Sequence, residues 1–162
     1  ILDIYKSILI DDFDDHTDEG KLISNNTILE NYIKDIKDDI RIESKFKICI
    51  DCANGVTGAI TRKIFDSLNV NFEIIYEDVD GNFPNHPPDP TNEENLSDLK
   101  KSIIDNNADF GFAYDGDGDR ICVVTSDGKI LWPDQLLMLY SRSILKKSPK
   151  GKIVYDITKL EM

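Results

Sequence analysis

Two kinds of apolar spacing alternate along this chain. Ile1, Ile4, Tyr5, Ile8 and Leu9 recur at helical spacing, which predicts that residues 1–10 end an amphipathic helix. A polar, acidic connection with Gly20 follows. A second helix is predicted next, with Asn26 or Thr27 as cap and Ile28, Leu29, Tyr32, Ile33, Ile36 and Ile40 as its apolar stripe. From Lys45 the pattern changes to short apolar runs of strand type: KICID (47–51), FEIIY (72–76), DFGFAY (109–114), ICVVT (121–125) and KIVYD (152–156). Helical patterns separate several of them. One runs from about Thr57 to Leu68. Another runs from Glu93 to Asn107, with Leu96, Leu99, Ile103 and Ile104 on one side. A third covers Asp134 to Lys147, with Pro133 at its start and PKGK after it. Lys129 to Trp132 reads as extended, after a turn at Asp127-Gly128. Residues 77–92 carry four prolines, one glycine and three asparagines and are not helical throughout.

Strand, helix, strand, helix, strand is the signature of a parallel sheet with right-handed crossovers. Only DGDGDR joins the third strand to the fourth, so those two pair antiparallel. The expected fold class is α/β: a three-layer α/β/α arrangement around a small mixed, mostly parallel four-stranded sheet, its last strand antiparallel. No internal repeat or low-complexity tract interrupts it.

Composition narrows the function classes. The 162 residues carry 31 acidic and 19 basic side chains, for a formal charge of −12. That argues against broad nucleic-acid binding, which rests on neutralising phosphates with Lys and Arg, and against an anionic membrane surface. Residues 1–45 hold twelve of the acidic and six of the basic side chains, half of the net charge. No apolar run reaches bilayer-spanning length, and no signal-peptide pattern is seen. Three cysteines (Cys49, Cys52, Cys122) suggest reduced thiols and a cytoplasmic location. The chain opens on Ile1 rather than Met and reads as a piece of a longer protein.

The chemistry concentrates in Asp115-Gly116-Asp117-Gly118-Asp119-Arg120. Three carboxylates alternate with two glycines directly after an apolar strand. Crowded carboxylates repel; a divalent cation removes that cost, and Mg²⁺ prefers hard oxygen ligands. In a straight strand alternate side chains would spread about 7 Å apart per step, so the loop must curl, and glycines permit it. Arg120 adds a planar donor suited to a phosphate oxygen. Metal and arginine beside a phosphate is what phosphoryl transfer needs. Two other readings stand. The loop is also what a solvated turn looks like, which would make the chain a non-catalytic α/β module. A Mg²⁺-dependent phosphatase with Asp115 as nucleophile also places aspartates after an apolar strand, although Gly118 and Asp119 occupy the stretch where Thr or Val is usual. An EF-hand fails, because Arg120 and Ser126 stand where Gly and Glu are required.

Other features read as structural. DCANGVTG (51–58) opens a helix but lacks G-x-G-x-x-G, so a plain turn explains it. Cys49-x-x-Cys52 lies in an apolar strand with no second pair and reads as core. His86, without a partner histidine nearby, reads as packed or solvated rather than catalytic. Trp132 reads as a packing anchor. The basic residues Arg142, Lys146, Lys147, Lys150 and Lys152 sit at a helix C-terminus, where cations are favoured.

With these residues in hand, the chain resembles the α-D-phosphohexomutases, most closely their bacterial phosphomannomutase/phosphoglucomutase branch. The matching stretches are DCANGVTG (51–58), DGNFPNHPPDP (80–90), ENLSDLKK (94–101), NADFGFAYDGDGDR (107–120) and WPDQLLMLY (132–140), in the family's order and spacing. The resemblance implies a four-domain enzyme that interconverts hexose 1-phosphate and hexose 6-phosphate of mannose or glucose. A phosphoserine on the first domain gives its phosphate to the substrate, and a sugar bisphosphate turns over in the cleft. It implies that Asp115, Asp117 and Asp119 hold Mg²⁺, that a phosphoserine oxygen completes the shell, and that Arg120 contacts that phosphate. It places residues 1–27 in the tail of a preceding domain, 28–128 in the metal-binding domain and 129–162 at the start of the next. This piece would pack against the other domains and be inactive alone. At the end, Asp156-Ile157-Thr158 departs from the family's Asp-Val-Lys, with Lys159 one place late, and no role is carried onto Lys159.

Overall fold

The computed structural model describes residues 1–12 and 20–155. Among the described residues there are five α-helices: α1 (Leu2–Ile10), α2 (Ile28–Asp39), α3 (Gly58–Ser67), α4 (Ser97–Asp105) and α5 (Pro133–Lys147). Five strands are seen: β1 (Lys47–Asp51), β2 (Asn71–Ile75), β3 (Phe110–Tyr114), β4 (Ile121–Thr125) and β5 (Ile130–Leu131). A single 3-10 turn, Glu93–Leu96, leads into α4, so the helix expected from Glu93 starts tighter than an α-helix. Asn92 opens it by accepting a hydrogen bond from the Glu94 N–H.

The strands form one sheet in the order β2-β1-β3-β4-β5. β1 pairs parallel with β2 and with β3; β3–β4 and β4–β5 are antiparallel. The mixed architecture is as expected, with five strands instead of four. The added β5 is two residues long, too short to make a periodic pattern, and it closes an edge beside β4. Residues 152–155 are not a strand, against expectation: a strand needs a hydrogen-bonding partner, and no described strand runs beside them. Most of the acidic connection before Gly20, and the departure at Asp156-Ile157-Thr158 with Lys159, lie outside the described residues.

Alternation along the strands gives the two faces of the sheet to different helices. Cys49, Ala113, Cys122 and Val124 face α4 and pack with Leu96, Leu99 and Ile103. Ile48, Ile50, Phe112 and Val123 face the other way, toward Phe65 of α3. β1 is therefore apolar on both faces, as a central strand covered by helices must be. Ile104 falls off the α4 stripe and is 66% exposed; one residue beyond Ile103 turns it about 100° away from the sheet. α2 lies beside α3. Gln135 caps α5 by accepting from the Trp132 N–H at 3.1 Å.

The chain leaves β1 to one side through α3 and returns past it through α4 to β3. The carboxyl ends of β1 and β3 flank the point where the winding reverses. In open α/β sheets such crevices hold ligands.

Candidate metal centre

The DGDGDR loop leaves β3 at that crevice and returns as β4. Its curl is closed at the base. The Asp115 N–H donates to the Arg120 carbonyl at 3.3 Å, and the Arg120 N–H donates back to Asp115 Oδ1 at 3.1 Å. Gly118 supplies the bend with φ of 77°, in the left-handed region that glycine tolerates. One carboxylate oxygen from each of Asp115, Asp117 and Asp119 lies within 4.8 Å of the others. The curl required by the sequence thus brings all three side chains together.

The loop rests on two neighbouring segments. The turn after β1 meets it backbone to backbone, with the Val56 N–H donating to the Gly116 carbonyl at 3.1 Å. A Cβ at Gly55 would sit 2.7 Å from that same oxygen, so only glycine allows the approach. The first N–H groups of α3 are already satisfied: Gly58 by Gly55, Ala59 by Val56, Ile60 by Thr57. That turn is a buttress, as expected, and not an open anion site. From the other side, Pro88 and Phe83 of the proline-rich segment close over Gly116.

Charge at the site is unevenly balanced. Asp115 is buried at 1% exposure, and burial pushes its carboxyl up. The backbone N–H and guanidinium of Arg120 outweigh burial and hold it down at about 2. Asp119 moves the opposite way: its carboxyl is raised by its hydrogen-bonding approach to Asp115, then by the charges of Asp117 and Asp115. Crowding of this kind is what a cation relieves. All three candidate ligands are hard carboxylate oxygens, and two of the side chains are exposed enough to meet an ion arriving from solvent. The donor set fits Mg²⁺ or Mn²⁺.

Arg120 hydrogen-bonds two carboxylates, and its Nε lies 3.6 Å from a third, Asp119 Oδ1. Its Nε donates to Asp115 Oδ2 at 2.7 Å and its Nη1 to Asp89 Oδ1 at 3.2 Å. Its side chain is 53% exposed, and Nη2 has no partner among the described residues. Both Asp115 oxygens accept from Arg120 in a buried position.

Sequence reasoning gave three residues here no role in the site, although it read one of them, His86, as packed or solvated. Asp51 is fully buried at the end of β1. Its Oδ1 accepts from the Ala53 N–H at 2.8 Å and its Oδ2 lies 3.0 Å from His86 Nε2. His86 is packed, with Tyr76 edge-on at 5.4 Å, so the packed half of the expectation holds. Asp89 is the third. A charged residue closing an apolar strand, as in KICID, was the available signal for Asp51. Trp132 is less buried than an anchor, at 37% exposure. It lines a cavity of about 340 Å³ with Thr91, Arg120, Cys122, Leu136 and Tyr140.

Among the described residues no helix is long and apolar enough to cross a membrane. Residues 30–128 match the family described as phosphoglucomutase/phosphomannomutase, alpha/beta/alpha domain II. The chain is 43% identical over 141 residues to a phosphomannomutase/phosphoglucomutase of Pseudomonas syringae, covering 87% of this chain and 30% of that protein. It is 45% identical over 130 residues to one of Pseudomonas aeruginosa, covering 80% and 28%. A crystal structure of a phosphoglucomutase/phosphomannomutase family protein from Burkholderia thailandensis superposes with a TM-score of 0.80 at 38% identity, covering 90% of this chain and 31% of that one. The chain therefore spans about 30% of the length of such relatives. On this likeness, the chain belongs to the phosphoglucomutase/phosphomannomutase family, and its residues 30–128 match that family's α/β/α domain II.

Proposed function

We propose that this chain is the metal-binding part of a phosphohexomutase that interconverts the 1-phosphate and 6-phosphate of mannose or glucose through a phosphoserine and a sugar bisphosphate. The observation that carries this reading is the convergence of three carboxylate oxygens within 4.8 Å beside a half-exposed guanidinium, in a chain of this family. Asp115, Asp117 and Asp119 would hold Mg²⁺, which supplies positive charge to a phosphoryl oxygen. Arg120 contacts the same phosphate through the donors that Asp115 and Asp89 leave open, and a planar fork suits phosphate geometry. The chain's own residues fix that guanidinium in advance, so little orientation is lost when phosphate arrives.

The boundaries follow the same reading: 1–27 close a preceding domain, 28–128 bind the metal, and 129–162 open the next domain. The family match over 30–128 supports the middle boundary pair. In α1, Ile4, Tyr5, Ile8 and Leu9 are all more than half exposed, as a helix does when another domain is to cover it. Three free, buried cysteines suit a cytoplasmic enzyme.

A chimera tests the function. Residues 30–128 replace the equivalent segment of the Pseudomonas aeruginosa protein, which is then assayed with glucose 1-phosphate and mannose 1-phosphate. Turnover is expected, and Asp117→Asn is expected to lower kcat by about 100-fold or more. A folded chimera indifferent to Asp117→Asn contradicts the assignment. The chain alone is expected to be inactive, since it supplies the metal loop but no nucleophile. Phosphate release by the chain alone would favour the phosphatase.

A further inference from the structure

We propose that Asp51, His86 and Asp89 form a positioning relay that fixes the guanidinium of Arg120. The assignment rests on the reading of Arg120 as the cation facing phosphate. It adds three residues that touch neither metal loop carboxylate nor substrate chemistry in that reading but determine where the cation stands.

The relay begins at a buried ion pair. His86 Nε2 lies 3.0 Å from Asp51 Oδ2, and Nδ1 lies 2.8 Å from the Pro87 carbonyl. Both neighbours offer acceptor oxygens, and a ring protonated on both nitrogens, the imidazolium, satisfies both contacts at once. The other groups facing it are Tyr76, packed edge-on, and Asp98, which accepts from the Tyr76 hydroxyl at 2.7 Å. All the charged groups around the ring are therefore acidic, which favours the charged form. Asp51 ties the same point to the backbone. Its Oδ1 holds the Ala53 N–H, where Ala53 and Asn54 stand in succession at φ of 48° and 56°. Two non-glycine residues in that region are held only by surrounding bonds. Asn54 in turn receives the Asn85 side chain at 2.7 Å and donates to the Asp78 carbonyl at 2.7 Å.

The anchored segment then delivers Asp89. Only Pro87 and Pro88 separate it from His86, and their fixed φ values leave little slack. The Asp89 N–H bonds the Pro87 carbonyl at 2.8 Å, and its own carbonyl accepts from Asn95 Nδ2 at 2.8 Å. Thr91 holds Asp89 Oδ1 through its N–H and hydroxyl, and that same oxygen accepts from Arg120 Nη1. Without this arm the Nη1 end of Arg120 would lose its tether, leaving only the Nε contacts, to Asp115 at 2.7 Å and to Asp119 at 3.6 Å, about which the guanidinium could rotate.

Nitrogen-15 spectra of the chain test the relay without metal. Both His86 ring nitrogens are expected at imidazolium positions at pH 7, and the Arg120 Nε–H is expected as a resolved, slowly exchanging signal. His86→Gln keeps a donor toward Asp51 without the charge; Asp89→Asn keeps the shape without the charge. Each is expected to speed Arg120 Nε–H exchange roughly threefold or more, and the double variant no more than the larger single effect, because coupled residues are not additive. In the unsubstituted chain, the Arg120 signal is expected to shift with the His86 midpoint as pH rises. A neutral His86 ring, additive effects, an Arg120 signal indifferent to His86, or a His86→Gln variant that only lowers Tm overturns the relay. Mn²⁺ that fails to bind while these couplings stand supports the relay and overturns the metal reading instead.

Discussion

Arg120 turns back on the residue five places before it: its Nε sits 2.7 Å from Asp115 Oδ2, while its backbone N–H holds Oδ1. The loop is thereby closed on itself, and the buried carboxylate has its counter-charge within the same turn. Replacing Arg120 by Ala leaves Asp115 buried without that partner. The variant is expected to be less stable, because the buried carboxylate keeps the backbone N–H but loses its counter-charge and bears more of its desolvation cost. Arg120→Lys is expected to recover only part, since an ammonium cannot reproduce the fork. Urea unfolding at pH 7 measures both. The Asp115 carboxyl, held at about 2, is expected to rise in the Ala variant by carbon-13 titration.

Asp119 is under the opposite pressure. Its carboxyl is raised by Asp115 and Asp117, so at neutral pH its charge opposes folding, and this opposition grows as pH rises through its folded pKa. Asp119→Asn is expected to raise Tm modestly without metal and to remove most of the Tm increase that Mn²⁺ gives. Improved stability paired with lost metal response is the signature of a ligand site. A variant that lowers Tm without metal contradicts it. Thermal unfolding with and without Mn²⁺ reads both.

The His86–Asp51 pair gives stability a second pH window. Hydrogen bonding to Asp51 raises the His86 pKa above its ordinary 6.5, against the opposing effect of burial. The folded state therefore binds the proton more tightly than the unfolded one. This contribution is complete below about pH 6.5 and disappears as pH rises through the higher folded value. Urea midpoints are expected to fall across that interval, and His86→Gln is expected to flatten the fall. An equal fall in His86→Gln assigns it to other groups.

Gly118 carries two separate constraints. Its φ of 77° disfavours any side chain, and a Cβ there would lie 2.3 Å from Thr57 Cγ2. Gly118→Ala is expected to cost about 1–2 kcal/mol. Adding Thr57→Ser removes the methyl and is expected to restore the steric part while leaving the backbone part. Chemical denaturation of the single and double variants separates the two.

These residues also show what a sequence exposes. β1, β3 and β4 are apolar runs bounded by turn residues, so local pattern was enough to place them. The alternating Asp and Gly of residues 115–119 announced both the loop and its curl, because carboxylates so close must either converge or splay. β5 was invisible as a strand because two residues have no period. Residues 152–155 have strand composition without a described partner, and composition alone makes no ladder. Asp51–His86 and Asp89–Arg120 join residues 35 and 31 positions apart, so no local pattern could pair them. His86 looked isolated because its partner is a carboxylate at the end of β1, not a second histidine.

Calorimetric titration of the chain with Mn²⁺ decides whether Asp115, Asp117 and Asp119 are ligands. A single saturable site is expected in the unsubstituted chain, weakened by at least about tenfold when Asp117 and Asp119 are both changed to Asn, with the circular dichroism spectrum unchanged. Equal binding by the folded double variant, or none by the unsubstituted chain, would contradict the metal centre and leave DGDGDR as a turn.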